Sequence, residues 1–371
     1  MSDPLEINSN LPPLYAGWMS QALQGSIPVE TKATCENCAM CNRAAPTVPQ
    51  TLFFNPKVKC CTYIPELPNF LVGRILLEPD AATVPGRDKL QERIIKGIAV
   101  TPFGVVKPPV YDLLYSQATN FFGKSEAMRC PYYIEEGGLC GVWKHRNSVC
   151  ATWFCKHNRG ATGFLFWKNI QKLLTQVERS LAVWCIYQLD VGKAAFKRLF
   201  PLDFPNQGNS RTALDGNQLD GLKDEADYRL AWGNWYSREN EFYELCAQLV
   251  SQLTWAEVLA IGGAELLVTT RLAQEAYQAL LSEELPARLQ TGTFRVIQAG
   301  GDKNLVETYS AYDPLSMPRQ LQEVLNYFDG RPTGEAIQAI YDEQDINLTP
   351  SLVRKLSDFQ VLLPVAEEPE S

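Results

Sequence analysis

The spacing of apolar positions changes character along this chain. From residue 161 onward Phe164, Ile170, Leu173, Leu174, Val177 and Leu181 recur at three- and four-residue intervals, which predicts a helix running to about residue 189. Two further helical patterns cover roughly 224–253 and 264–281, with a Pro/Asn/Gly stretch (PLDFPNQGNS, 201–210) breaking the period before them. Trp232, Trp235 and Trp255 lie in or beside these patterns and read as core or helix-contact residues. Residues 31–160 are rich in Pro and Gly and carry no sustained period. The exception is 87–98, where Leu90, Ile94, Ile95 and Ile98 fall on one helical face. Residues 1–30 read as a lead-in with a short helix around 16–23.

Past a boundary near Pro286 the pattern turns to strands. Residues 291–298 and 305–312 flank Gly300-Gly301 and predict a β-hairpin. Helices are expected at 317–328, 334–341 and 350–359, followed by an apolar end at 361–363. Thr333 is expected as an N-cap, with Glu335 supporting the first turn. The fold class is therefore α+β. An irregular cysteine-rich domain is expected over 31–160, where the thiols described below suggest metal binding, with a helical region over 161–285 and a small winged-helix-like domain over 286–371. No internal repeat is present in the sequence.

A chain of 371 residues, 46% apolar and 20% charged, has enough length and apolar content to fold without disulfides. The start, MSDPLEINSN, has no basic and apolar signal pattern, and no apolar run has transmembrane length. These features set the expectation of a cytoplasmic, reducing location with no membrane partner. A net charge of −8 argues against nucleic acid as a partner. The charge is uneven, however: residues 31–160 hold sixteen Lys and Arg against ten Asp and Glu. That basic surplus suits a centre built from thiolates, because a cluster with four cysteinate ligands is itself anionic.

Nine of the eleven cysteines lie between Cys35 and Cys155, together with both histidines, His145 and His157. The first three, Cys35, Cys38 and Cys41, form a C-x2-C-x2-C run. Two-residue gaps let consecutive thiolates converge on one ion while the intervening amides point at the sulfurs. Where the bacterial ferredoxin run has its fourth Cys and Pro, this chain has Ala45-Pro46. A fourth ligand must come from elsewhere, and Cys60 or Cys61 is nearest in sequence. Cys130, Cys140, Cys150 and Cys155 complete the block. The excess of thiols over imidazoles favours an iron–sulfur cluster, with zinc as the alternative. Nine cysteines support two four-ligand sites with one spare, or one cluster plus one zinc. His145 and His157 are candidate ligands or proton donors, or else hydrogen-bonded neighbours. Cys185 and Cys246 sit in apolar helical patterns and read as core thiols.

The stretch Cys130-Pro-Tyr-Tyr, Gly137-Gly138-Leu139-Cys140-Gly-Val-Trp, Val149-Cys150 and Cys155 resembles the YkgJ-type cysteine-cluster family, described as zinc- or iron-chelating. The resemblance covers about residues 30–160 and implies a ligand set rather than a reaction. Two features depart from the family pattern. Arg146-Asn147 stands where Arg-Pro is usual, and the Cys-Cys pair is displaced to Cys60-Cys61. Residues 321–363 resemble the PqqD-type peptide-chaperone fold, through Asp329-Gly330-Arg331-Pro332-Thr333 and the Val353, Leu356, Phe359, Leu362 spacing. That resemblance implies a protein or peptide partner received by strand addition at the hairpin edge. Four basic against seven acidic residues over 318–362 disfavour DNA.

The function expected is that of a cysteine-ligated metalloprotein, an iron–sulfur redox or accessory protein acting with a protein or peptide. The alternative is a zinc-stabilised, non-enzymatic interaction module. A third reading is an enzyme with an open metal position that uses His145 or His157 as acid or base. No Walker loop, Rossmann glycine fingerprint or Ser/His/Asp order is present, and Gly262-Gly263 and Gly300-Gly301 read as turns.

Overall fold

Helix Asn69–Leu77 lies against helix Glu239–Ser251 so closely that only a glycine fits between them. A Cβ on Gly73 would stand 1.8 Å from the Tyr243 carbonyl oxygen. This contact is the centre of one of two packed units. The computed structural model describes residues 11–35, 37–41, 49–117, 120–201, 220–221 and 224–365. The predicted break at 201–210 lies outside the described residues from 202 on, as does Ala45-Pro46. Contacts divide the chain into a first unit, Met1–Val29, Phe54–Trp153 and Ile170–Arg271, and a second, Glu30–Phe53, Phe154–Asn169 and Leu272–Ser371. Each unit draws on three separated segments, and residues 31–160 contribute to both.

The predicted long helix is present as Gly160–Gln188; from Ile170 on it belongs to the first unit, where Ile170, Leu173, Leu174, Val177 and Leu181 are buried. Asn69 donates from Nδ2 to the carbonyls of Pro102 and Ala182, tying helix Asn69–Leu77 to this core. Strands β1 (Leu67–Pro68), β2 (Val100–Thr101) and β3 (Gly104–Val105) form a small antiparallel sheet in the order β1-β3-β2. Strands β4 (Tyr133–Ile134) and β5 (Leu139–Cys140) form a hairpin. The N-terminal helix Pro13–Leu23 buries Tyr15, Trp18 and Met19, so the lead-in is part of the packed unit.

Three local expectations change here. The region 224–253 is two helices, Glu225–Trp232 and Glu239–Ser251, because Gly233 adopts φ 49° against the Val191 carbonyl and breaks the run. The helix expected at 87–98 spans Val84–Lys96 and stops at left-handed Gly97, which leaves Ile98 beyond its end. Leu90 and Ile94 are buried, but Ile95 is 79% exposed. Arg93 turns inward in its place, donating to Tyr132 Oη at 3.1 Å and to the Val106 carbonyl. The third change is helix Trp255–Leu281, which starts earlier than its apolar pattern. Thr254 and Glu257 form a reciprocal capping box there, and Gly263 kinks the helix at φ 62°, ψ −151°.

In the second unit β6 (Arg288–Thr291) is the centre of an antiparallel sheet with β10 (Asp329–Pro332) and β11 (Leu362–Pro364). A second sheet has the order β7-β8-β9, from Arg295–Gly300, Lys303–Glu307 and Leu315–Pro318. The expected hairpin is β7–β8. Helices Thr333–Gln344 and Pro350–Asp358 follow the predicted pattern and share a core with Leu289, Val306, Met317, Phe328 and Phe359.

The helix expected at 317–328 shrinks to Arg319–Glu323 and a 3-10 turn at Leu325–Tyr327. Met317 precedes Pro318, which disfavours helical backbone, and it fills the core from β9 instead. Thr333 is not the N-cap, because Pro332 holds that position. Thr333 donates to Pro286 O at 2.7 Å and its backbone N–H to Ala287 O, tying the helix start to β6. The mixture of helices with small antiparallel sheets is that of the α+β class. Among the described residues no single helix is long and apolar enough to cross a membrane.

Two glycines test this packing in opposite directions. Gly17, exposed in helix Pro13–Leu23, has nothing within 4 Å of the place an added methyl would take. Gly17→Ala is expected to stabilise by up to about 1 kcal/mol through helix propensity. Gly73→Ala is expected to cost about 3 kcal/mol through steric overlap with Tyr243. Chemical denaturation midpoints check both, and a Gly73→Ala shift as small as that of Gly17→Ala would contradict the packing.

Candidate metal centre

Five of the nine clustered cysteines belong to the first unit, and most are carried on turns or at strand ends rather than on long elements. Residues 55–61 fold into consecutive tight turns. The N–H groups of Val58 and Lys59 donate to Asn55 O, that of Cys61 donates to Val58 O, and Lys59 takes φ 50°. Two bonds stitch this turn to the β4–β5 hairpin: Lys59 Nζ to Gly138 O at 2.9 Å and Tyr133 Oη to Pro56 O at 3.2 Å. A third, from the Cys130 N–H to Cys61 O at 2.8 Å, brings Cys130 alongside. Cys140 ends β5, directly opposite Tyr133. The hairpin is held in turn by helix Val84–Lys96, where Gly86 and Gly141 touch backbone to backbone.

Cys150 sits on the short helix Ser148–Thr152. Asn147 caps this helix, accepting from the Cys150 N–H at 3.1 Å. The neighbouring Arg146 guanidinium stacks 3.4 Å over the Trp143 ring and donates to the carbonyls of Trp143 and Cys150. Glu178 anchors the same helix, accepting from the Ser148 N–H, from Ser148 Oγ at 2.8 Å and from Tyr15 Oη. Sequence reasoning missed Glu178. The available signal was an acid on the buried face of a predicted helix, next to Val177 and Leu181.

These supports place Cys140 and Cys150 within electrostatic reach of Cys130, and Cys140 and Cys60 within electrostatic reach of Cys150. Burial, then Cys140 and, after a weaker opposing effect, Cys150, hold the Cys130 thiol well above its ordinary range. Burial, then Cys140 and more weakly Cys60, do the same for Cys150, against the Arg146 charge. The Tyr132 backbone N–H donates to the Cys130 sulfur, which favours its thiolate. Among the described residues, which include all eleven cysteines, there is no disulfide. Among the same residues no three His, Cys, Asp or Glu side chains are drawn tightly enough together to grip an ion as they stand.

The donor chemistry nevertheless fits a thiophilic cation or cluster. Cys130 and Cys150 resist ionising chiefly because of burial, and next because other thiols act on them electrostatically. A bound cation removes that penalty for the whole group together. Cys61 lends its carbonyl to Cys130.

The remaining residues named from the sequence lie elsewhere. His145 bonds through Nε2 to Glu78 Oε2 at 2.8 Å, and Lys144 pairs with Glu78 and Asp80. Burial lowers the His145 pKa, with the Glu78 hydrogen bond opposing, so its imidazole is engaged by a carboxylate. Cys35, Cys38, Cys41 and Cys155 belong to the second unit, as does His157. Burial lowers His157 to about 4, and its Nδ1 lies 3.3 Å from Tyr309 Oη. Cys60 and Cys61, the thiols nearest in sequence to the C-x2-C-x2-C run, therefore fall in the other unit. Cys185 and Cys246 are fully buried core thiols, as expected. The chain matches no family model, no curated protein and no solved structure.

Glu178 yields a pH prediction. Burial raises its pKa from the ordinary 4.5 to about 7, so the folded state binds this proton more tightly than the unfolded chain. The resulting stability is present below about pH 4.5 and is lost as pH rises through about 7. Relative to Glu178→Gln, the wild type is expected to lose on the order of 3 kcal/mol over that window. Urea unfolding of both proteins at about pH 5 and pH 8 measures it, and an unchanged difference between them at the two pH values would contradict the assignment.

Proposed function

We propose that the protein is a cysteine-ligated metalloprotein, with a centre held by Cys60, Cys130, Cys140 and Cys150, that acts as an iron–sulfur redox or accessory protein on a protein or peptide partner. What supports this reading is that thiols from separated stretches of chain bear on one another: Cys140 and Cys150 on Cys130, and Cys140 and Cys60 on Cys150. The set holds only sulfur, which suits an iron–sulfur cluster. When bound, such a cluster supplies one-electron transfer. The chain's own residues orient the ligands and offset their charge. Tyr132 N–H donates to the Cys130 sulfur, and the Arg93 and Arg146 guanidinium groups favour the thiolates of Cys130 and Cys150. Thiolate ligation of this kind suits a reducing compartment, and the cytoplasm is the expected one.

The partner reading rests on the second unit, taken as winged-helix-like and PqqD-like. Strand β7 is the outer member of the β7-β8-β9 sheet, and its Val296 is 42% exposed. A groove lined by Thr51, Leu52, Arg295, Ile297 and Glu307 runs beside it. A sheet-edge strand next to a groove suits an extended peptide, whose backbone would pair with the edge while its side chains enter the groove.

One observation favours the zinc-stabilised interaction module as a second reading. Cys130 and Cys140 lie in a turn and a two-residue strand, and Cys60 in a turn, so a bound metal would contribute much of the local folding energy.

Iron, acid-labile sulfide and zinc measured on anaerobically purified protein separate the readings. The expected result is coloured protein with iron and sulfide in similar amounts, reduced by Cys130→Ser. Colourless protein with stoichiometric zinc selects the interaction module, and metal-free protein contradicts both.

A further inference from the structure

Helices Asn69–Leu77 and Glu239–Ser251 both end at a cleft of about 500 Å³ in the first unit, a volume suited to a small molecule. Arg74, Leu77 and Glu78 line it from one helix and its C-cap, Gln248 and Ser251 from the other, and His145 joins them. Arg74 is half-buried there, and burial works against its charge. Ser251 Oγ accepts from Arg74 Nη1 at 2.9 Å and itself donates to Ala247 O at 2.6 Å, which fixes the guanidinium from the other helix. Arg74 Nε is shielded from solvent and has no hydrogen-bond partner, a costly condition for a donor. Glu78, one turn further along, acts on Arg74 electrostatically, but its carboxylate is already engaged. It is bonded to His145 at 2.8 Å and to the Asp80 N–H at 3.2 Å, and it lies 3.7 Å from Lys144 Nζ. Among the described residues Arg74 therefore forms no ion pair. Its Nε–Nη2 edge, two parallel donors that match a carboxylate, is left unused.

The other lining groups set what a ligand carries beside its carboxylate. Both helices present their C-terminal ends, whose carbonyls bear partial negative charge, and Glu78 adds a full one. Such surroundings disfavour a doubly charged phosphate and suit a single carboxylate with a hydrogen-bond donor next to it. His145 supplies an acceptor for that donor. Its Nε2 faces the Glu78 carboxylate, which holds the ring proton there and leaves Nδ1 with a lone pair. Burial lowers the His145 pKa, with the Glu78 bond opposing and the Arg74 charge adding to the effect, so the ring is neutral. Leu77, Pro79 and Ala247 give the cleft an apolar surface for a short aliphatic side chain.

We propose that this cleft binds a small aliphatic 2-amino or 2-hydroxy monocarboxylic acid, its carboxylate on the Arg74 fork and its ammonium or hydroxyl donor directed to His145 and the helix-end carbonyls. No cysteine lines the cleft, so the site is independent of the metalloprotein reading.

Saturation-transfer NMR on the full chain tests the assignment, with L-alanine, L-valine and L-leucine in one arm and the matching 2-hydroxy acids in another. At least one of these probes is expected to bind, and the arm that responds distinguishes ammonium from hydroxyl. Inorganic phosphate and the parent fatty acids, which lack the second donor, should bind about tenfold more weakly or worse. Arg74→Gln should weaken the bound probe about tenfold or more, and Arg74→Lys should not restore it, because an ammonium lacks the planar fork. Gln248→Trp, at an exposed position, fills the cleft without touching a charged group and should abolish binding. Circular dichroism confirms that each variant is folded, and Gln248→Trp stands in should the Arg74 variants fail to fold. The inference is overturned if no probe binds wild type, or if the bound probe binds folded Arg74→Gln or Gln248→Trp as tightly as wild type. Phosphate that competes as well as the best probe also overturns it, since the cleft would then take anions at large.

Discussion

Buried thiols placed side by side cannot all carry charge unless a cation joins them. Each thiolate loses hydration on burial and is repelled by its neighbours, and both effects raise its pKa. In the first unit Cys130 and Cys150 meet both effects, with Cys140 acting on each of them. The turns of residues 55–61, the β4–β5 hairpin and helix Ser148–Thr152 are too short to be stable alone. They are fixed by tertiary bonds: Lys59 to Gly138, Cys130 to Cys61, and Glu178 to Ser148. On the metalloprotein reading these contacts position the ligands, and the metal supplies the remaining cohesion.

The same constraint explains why polar groups are buried at considerable cost nearby. Glu178 gives up solvation to accept three hydrogen bonds, one of them from the backbone that leads into Cys150. Arg93 is buried within the first unit, satisfied by the Tyr132 hydroxyl and carbonyl oxygens. In the second unit Lys156, Asp313, Tyr309 and His157 form an equally dense network next to Cys155. Satisfied polar networks of this kind rigidify what they surround. Each of the two lies beside one group of cysteines.

Long, strongly periodic elements were legible in the sequence. Helices Gly160–Gln188, Thr333–Gln344 and Pro350–Asp358 and the β7–β8 hairpin follow directly from apolar spacing and turn residues. Single-residue effects were harder to read. Pro318 turns Met317 into a strand residue, Gly233 divides a helix, and Arg93 displaces Ile95 from the buried face. The cysteine block was plain as composition, yet its division between two units was not. That division depends on contacts such as Glu30 with Asn158, across more than a hundred residues, which spacing along the chain does not encode. Proximity in sequence pointed the C-x2-C-x2-C run toward Cys60 and Cys61, whereas these two fall in the other unit.

X-ray absorption at the metal edge of the protein as isolated tests the central claim most directly, since it counts ligand types without reference to activity. The account predicts a first coordination shell of sulfur alone, at about 2.3 Å. A shell dominated by nitrogen or oxygen would contradict it.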